Sequence, residues 1–94
     1  RGEYKKSLEY HEQAIAVAAQ QNDSIQLGHS YNNLGRMFFD GGDQVRAINN
    51  FFRAKEIFDA LNNKSGLAYV FRSLASVYKA QNEFDNAIEM SDKA

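Results

Sequence analysis

The 94-residue chain carries two histidines, His11 and His29, and no cysteine. Neither imidazole has a second ligand at metal-binding spacing. There is no His-x3-His, no His-Glu-x2-His and no thiolate, so no zinc-type donor set can be read from the sequence. Gly41-Gly42 is the one glycine pair, and no Gly-Lys-Ser/Thr follows it, so it reads as a turn and not as a phosphate-cradling loop. Glu9, Glu12, Glu83, Asp85 and Glu89 are scattered carboxylates, with no nucleophile, base and orienter drawn together. A catalytic role is therefore not expected, and neither is a cofactor or metal. The polar residues with a usable pattern are of another kind. Asn32, Arg36 and Phe39 are spaced by four and three, and forty residues later so are Arg72, Ser76 and Lys79. Each set forms a strip down one helix face. With Asn33 beside the first, these strips offer cations, amides and a hydroxyl, which suit a carboxylate or a peptide backbone.

Helices must position those strips, and the apolar spacing supplies them. Tyr31, Leu34 and Phe38 share one helix face, the Asp40-Gly41-Gly42-Asp43 stretch breaks it, and Ala47, Phe51 and Ala54 share the face of a second helix. Gly35 is small where a neighbouring helix must come close. This arrangement recurs at forty residues: Leu27, Tyr31, Leu34 and Phe38 return as Leu67, Phe71, Leu74 and Tyr78, and Ala47-Ile48 as Ala87-Ile88. Gly35 returns as Ala75, a second expected tight contact. The pattern predicts five helices. The first spans Gly2 to Gln20; the second runs from about Ser24 to Phe39, capped by Asp23 or Ser24. The third runs from about Asp43 to Leu61, with Phe51, Ala54, Phe58 and Leu61 as its stripe. The fourth follows a break at 62–65 with Ser65 as its cap, and Gln81-Asn82-Glu83 is read as a turn into a fifth from Phe84.

The unit from Tyr31 to Ala54 resembles the tetratricopeptide repeat (TPR), whose pattern is W-x2-L-G-x2-Y, A-x3-F and a closing Pro. Tyr31 stands at the Trp position, Leu34-Gly35 and Ala47 with Phe51 match, and Phe38 replaces Tyr; the Pro is absent, since the chain has none. The resemblance implies an all-α, TPR-like α-solenoid of antiparallel helix pairs, in one segment over 1–94. Residues 2–21 would be the second helix of unit one, 24–62 unit two, and 64–94 a truncated unit three in a piece of a larger protein. A period of forty is longer than the usual ~34 and resembles the long-repeat branch found in bacterial signalling proteins and some adaptor scaffolds. It also implies that the helices carrying Asn32 and Arg72 line a concave groove. There Asn32, Asn33, Arg36, Phe39, Arg72, Ser76 and Lys79 would face a partner protein or peptide, acidic or presented by its C-terminus. Arg36 and Arg72 are expected to converge on one anion. Asn33 matches one groove asparagine of the chaperone-tail-binding members, but Tyr69 and Ser73 stand where their clamp cations fall, so that clamp is not expected.

Composition agrees with a folded interaction module. The chain is 44% hydrophobic and 13% aromatic with a net charge of −1, which suits a packed core and gives no basic footprint for nucleic acid. No apolar run approaches the ~20 residues that cross a bilayer, and no signal peptide is visible, so a cytoplasmic location is expected, with a periplasmic or other sensor location compatible. Two functions fit: a recognition module with its ligand in the groove, or a structural spacer or dimerising element. Leu8, Ile15 and Ile88 are expected to be left open at the two ends, so that copies associate as a homo-oligomer or exchange terminal helices.

Overall fold

Three short joints of one design define the helices. Asn22, Gly42 and Asn62 have positive φ values of 56°, 89° and 55°, and they stand twenty residues apart. Glycine has no Cβ to clash in this left-handed region, and asparagine tolerates it better than most side chains. The residue after each one reaches back to close the preceding helix. The N–H of Asp23 donates to the Ala18 carbonyl at 2.9 Å, that of Asp43 to Phe38 at 2.8 Å, and that of Asn63 to Phe58 at 2.9 Å. The same three residues then open the next helix. Oδ1 of Asp23 accepts from the Gln26 N–H at 3.1 Å, that of Asp43 from Arg46 at 3.1 Å, and that of Asn63 from Gly66 at 2.9 Å.

The structure is a computed structural model that describes the backbone of residues 2–93 and the side chains of residues 3–83. It contains α1 (Gly2–Gln20), α2 (Ser24–Asp40), α3 (Gln44–Ala60) and α4 (Lys64–Lys93), with no strand among the described residues. The all-α expectation holds, but the helices number four. The expected turn at Gln81-Asn82-Glu83 is helical, and α4 runs through it. Asn82 does fall on the twenty-residue series of left-handed positions. What fails is the cap: Glu83 stands where the other joints have Asp or Asn, and Ala80, Gln81 and Glu83 are all good helix formers. Asn63, and not Ser65, caps α4, while Asp23 caps α2.

Aromatic rings set against glycines pack the helices. The core gathers Leu34 and Phe38 of α2, Ala47, Phe51, Ala54 and Phe58 of α3, and Val70, Leu74 and Val77 of α4. Phe51 lies over Gly35: a Cβ built there would come 2.6 Å from the ring and 3.0 Å from the Ala47 carbonyl. Phe58 lies between Gly28 and Gly66, where added Cβ atoms would come within 2.6 and 2.3 Å of it. Both rings are essentially inaccessible, and each contributes roughly 1.5–3 kcal/mol by leaving water. In chain order, α1 packs on α2, α2 on α3, and α3 on α4, while α2 also meets α4. Successive units therefore stack as a solenoid does.

The expected face of the fourth helix needs correction. Leu74 is buried and Leu67 half-buried, but Phe71 and Tyr78 remain 50% and 48% exposed, and Ala75 is exposed rather than at a tight contact. The packed face of α4 is instead Gly66, Val70, Ser73, Leu74 and Val77. Phe71, Ala75 and Tyr78 are the counterparts of Tyr31, Gly35 and Phe38, which α3 covers. Among the described residues no fifth helix folds back to do the same for α4. Leu61 is 43% exposed because it is the residue at which α3 ends. Leu8 and Ile15 are not left open: both are partly buried against the core. Ile88 lies outside the described side chains.

Candidate partner-binding face

The side of α2 opposite Leu34 and Phe38 carries His29, Asn33, Arg36 and Asp40, spaced by four, three and four. Asn33, Arg36 and Asp40 are exposed; His29 is half-buried. The His29 ring meets Phe58 edge-on at 5.0 Å and Tyr69 at 5.8 Å between centroids, so it joins α2 to α3 and α4. Contacts of this kind contribute beyond their buried area. On α4, Tyr69, Arg72, Ser76 and Lys79 are exposed. The Ser76 hydroxyl donates to the Arg72 carbonyl at 3.2 Å and that of Ser73 to the Tyr69 carbonyl at 3.3 Å. Ser76 thus keeps its oxygen lone pairs for a ligand while its proton is engaged.

Cations are used differently on the two sides of the helix layer. On α3, Arg46 pairs with Asp43 at 3.5 Å and lies 5.6 Å from the centre of the Phe38 ring. Arg53 lies 5.8 Å from the Tyr31 ring, and Lys55 meets Asp59 at 3.2 Å. Arg36, Arg72 and Lys79 take part in no ion pair among the described residues.

Two members of the expected strip are covered. Asn32 is only 1% exposed, and among the described residues neither its amide nitrogen nor its oxygen has a hydrogen-bond partner. It lies between Gly28 and Gly35 on the strip of α2 against which Phe58 and Phe51 press, so it cannot present an amide to a ligand. Phe39, seven residues on, is half-buried against the core. Arg72 and Lys79 hold the same two positions in the next unit and stay exposed because no further helix lies over them. The exposed strip of α2 is therefore one step further round, and it gains His29 and Asp40. Composition gave no clue to that step; the glycines at 28 and 35, four and three residues from Asn32, did.

Among the described residues no group of His, Asp and Glu side chains is arranged to hold a metal ion. A family model described as tetratricopeptide repeat matches residues 1–60, which span α1 and the α2–α3 pair. The chain belongs to the tetratricopeptide-repeat family. Neither the curated proteins nor the solved structures yield a match to it. TPR units are non-catalytic and mediate protein–protein interaction. No described helix is long and apolar enough to cross a membrane.

Proposed function

We propose that this TPR segment holds an acidic peptide, or the C-terminal carboxylate of a partner protein, along the α2–α4 face. The observation that carries the reading is the pair of exposed guanidinium groups at Arg36 and Arg72 on α2 and α4, which form no ion pair among the described residues. Arginine binds carboxylates through two parallel N–H donors, which gives direction as well as charge. Asn33 and the Ser76 oxygen flank these cations and suit a peptide backbone; Lys79 extends the positive strip by two turns. Half-buried His29 meets exposed Tyr69 edge-on between the helices and offers an aromatic contact to a ligand. Asp40, one turn from Arg36, sets a limit on how far an acidic ligand extends toward the α2–α3 joint. The forty-residue period resembles the long repeats of signalling and regulatory proteins, and a cytoplasmic regulatory parent fits this reading.

A hydrogen bond to a charged group contributes ~1.5–3 kcal/mol when sheltered and less on an open face, where salt screens it. Binding is then weak, and losing both arginines lowers affinity about ten-fold or more. The test is titration of an acidic peptide library against the parent and an Arg36→Ala, Arg72→Ala double variant at low and high salt. Binding that is lost in the variant and fades with salt supports the reading. Equal binding to both removes it and leaves a spacer without a groove ligand.

A further inference from the structure

The polar faces of α2 and α4 are graded along their length, in the same order on both helices. Phe58, near the end of α3, packs on Gly28 close to the start of α2 and on Gly66 in the first turn of α4, so α2 and α4 run parallel. The ring contact of His29 with Tyr69 fixes their register. On this face α2 reads Ile25, His29, Asn33, Arg36 and Asp40, and α4 reads Tyr69, Arg72, Ser76, Lys79 and Glu83. Each helix thus begins with apolar or aromatic side chains, passes to cations and ends on a carboxylate. Ile25 and Tyr69 stay 49% and 47% exposed beside the half-buried His29, an apolar patch at the edge of a charged strip.

We infer that this patch is a second subsite, which takes an aromatic side chain of the peptide two residues away from the acidic side chain held by Arg36 and Arg72. The inference rests on the reading of this face as an acidic-peptide groove and adds the spacing that the ligand must have. Arg72 lies three residues past Tyr69, and Arg36 seven past His29. At ~1.5 Å per residue these are ~4.5 and ~10.5 Å along the helix axes, so a carboxylate reached by both guanidinium groups sits about midway, ~7.5 Å from the rings. In an extended peptide, side chains two residues apart point the same way and lie ~6.6 Å from each other, whereas those one or three apart point to opposite faces. Two apart is therefore the spacing that fills both subsites from one side of the strand. The occupant is aromatic rather than cationic, because the two arginines repel a cation at this distance, while a ring can meet Tyr69 edge-on or offset as His29 does. Asp40 and Glu83 keep the acidic side chain from sliding past the guanidinium pair, which holds the register.

The probes are end-blocked decapeptides of glycine and serine that carry one Trp and one Glu, one to four positions apart and in both orders. They are titrated into the isotope-labelled chain and followed by backbone and ring NMR shifts. Peptides with the two residues two apart should bind about three- to ten-fold more tightly than the other spacings, and than the same peptide with Ala for Trp. They should also shift the His29 and Tyr69 ring signals. Tyr69→Ala, at an exposed position, should erase the preference for that spacing, and Tyr69→Phe should keep it. Circular dichroism checks that both variants stay helical; if the alanine variant does not, the ring shifts of the parent decide. A maximum at any other spacing, a preference that survives Tyr69→Ala, or tighter binding with Lys in place of Trp overturns the inference. A parent that binds the acidic library yet shows no dependence on spacing overturns it and leaves the groove reading standing. A parent that binds neither set loses both.

Discussion

The Phe58 ring is held at both ends, which makes an unusual response to alanine measurable. A Cβ at Gly66 would lie 2.3 Å from Cδ1 and 2.5 Å from Cγ, near the base of the ring; one at Gly28 would lie 2.6 Å from Cζ, at its tip. Carbon atoms pack at ~3.5–4 Å, so the ring or a helix must shift by about an ångström for either substitution. Overpacking of this kind costs ~1–3 kcal/mol, against up to ~1 kcal/mol gained when glycine becomes alanine inside a helix. Gly66 lies in the first turn of α4, where that gain is smaller, and the base of a ring moves less freely than its tip. Gly66→Ala should therefore lose ~1–2 kcal/mol net, and Gly28→Ala less. With a urea slope of about 1 kcal/mol per molar, the Gly66→Ala midpoint falls by ~1–2 M. The double variant should lose more than the sum, because neither end of the ring is then free to swing; neighbouring sites couple in this way. Removing the ring tests the cause: in a Phe58→Leu background Gly66→Ala should cost little or nothing. Urea unfolding followed at 222 nm decides the matter. A Gly66→Ala parent that is more stable, by the amount helix propensity alone gives, refutes the clamp.

Three further outcomes follow from the joints and the buried amide. Asn63→Ala removes the α4 cap and should cost ~1 kcal/mol, lowering the melting temperature by ~4–8 °C, whereas Asn63→Asp should retain the cap and most of the stability. Gly42→Ala meets nothing within 4 Å, so its loss of ~1–2 kcal/mol comes from left-handed backbone alone; the same change at the exposed Gly41, whose φ is −82°, should be near neutral in chemical unfolding. Asn32→Leu exchanges an unpartnered buried amide for an apolar side chain of similar size and should be neutral or stabilising by up to ~1–3 kcal/mol. Calorimetry that finds it strongly destabilising would show the amide to be satisfied after all.

The part of the fold that repetition encodes could be read from the chain. Leu34, Gly35, Phe38, Ala47 and Phe51 announced the α2–α3 pair because their spacing is the period of the helix and their sizes are the fit of the pair. The end of α4 was misread for a local reason. Asn82 continues the series of Asn22, Gly42 and Asn62, but a helix stops only when its successor is also capped, and Glu83 does not supply the cap. Phe71 and Tyr78 then lost the partner that repetition promised them. The strip of α2 failed for a reason of a different kind. Being one step round from a core stripe leaves two directions, and which is covered depends on where Phe51 and Phe58 press from α3. That is a property of the packed pair more than of α2, and within Tyr31–Phe39 only Gly35 points to it. Gly28 and Gly66 mark the answer, yet their role appears only when Phe58 is seen between them.

The joints also constrain how such a chain can vary in length. Surface connections ordinarily absorb an extra residue at small cost, because slack is shared among positions with nothing else to do. Here Asp23, Asp43 and Asn63 are each the last closure of one helix and the first cap of the next, so the connection has no idle position. One inserted residue would either separate closure from capping or rotate the following helix by ~100°, turning Phe51 or Val70 out toward water. The joint behaves as a ratchet tooth rather than a hinge. Point substitutions can pass through it, but changes of length that keep the phase of every later helix must come as whole repeats.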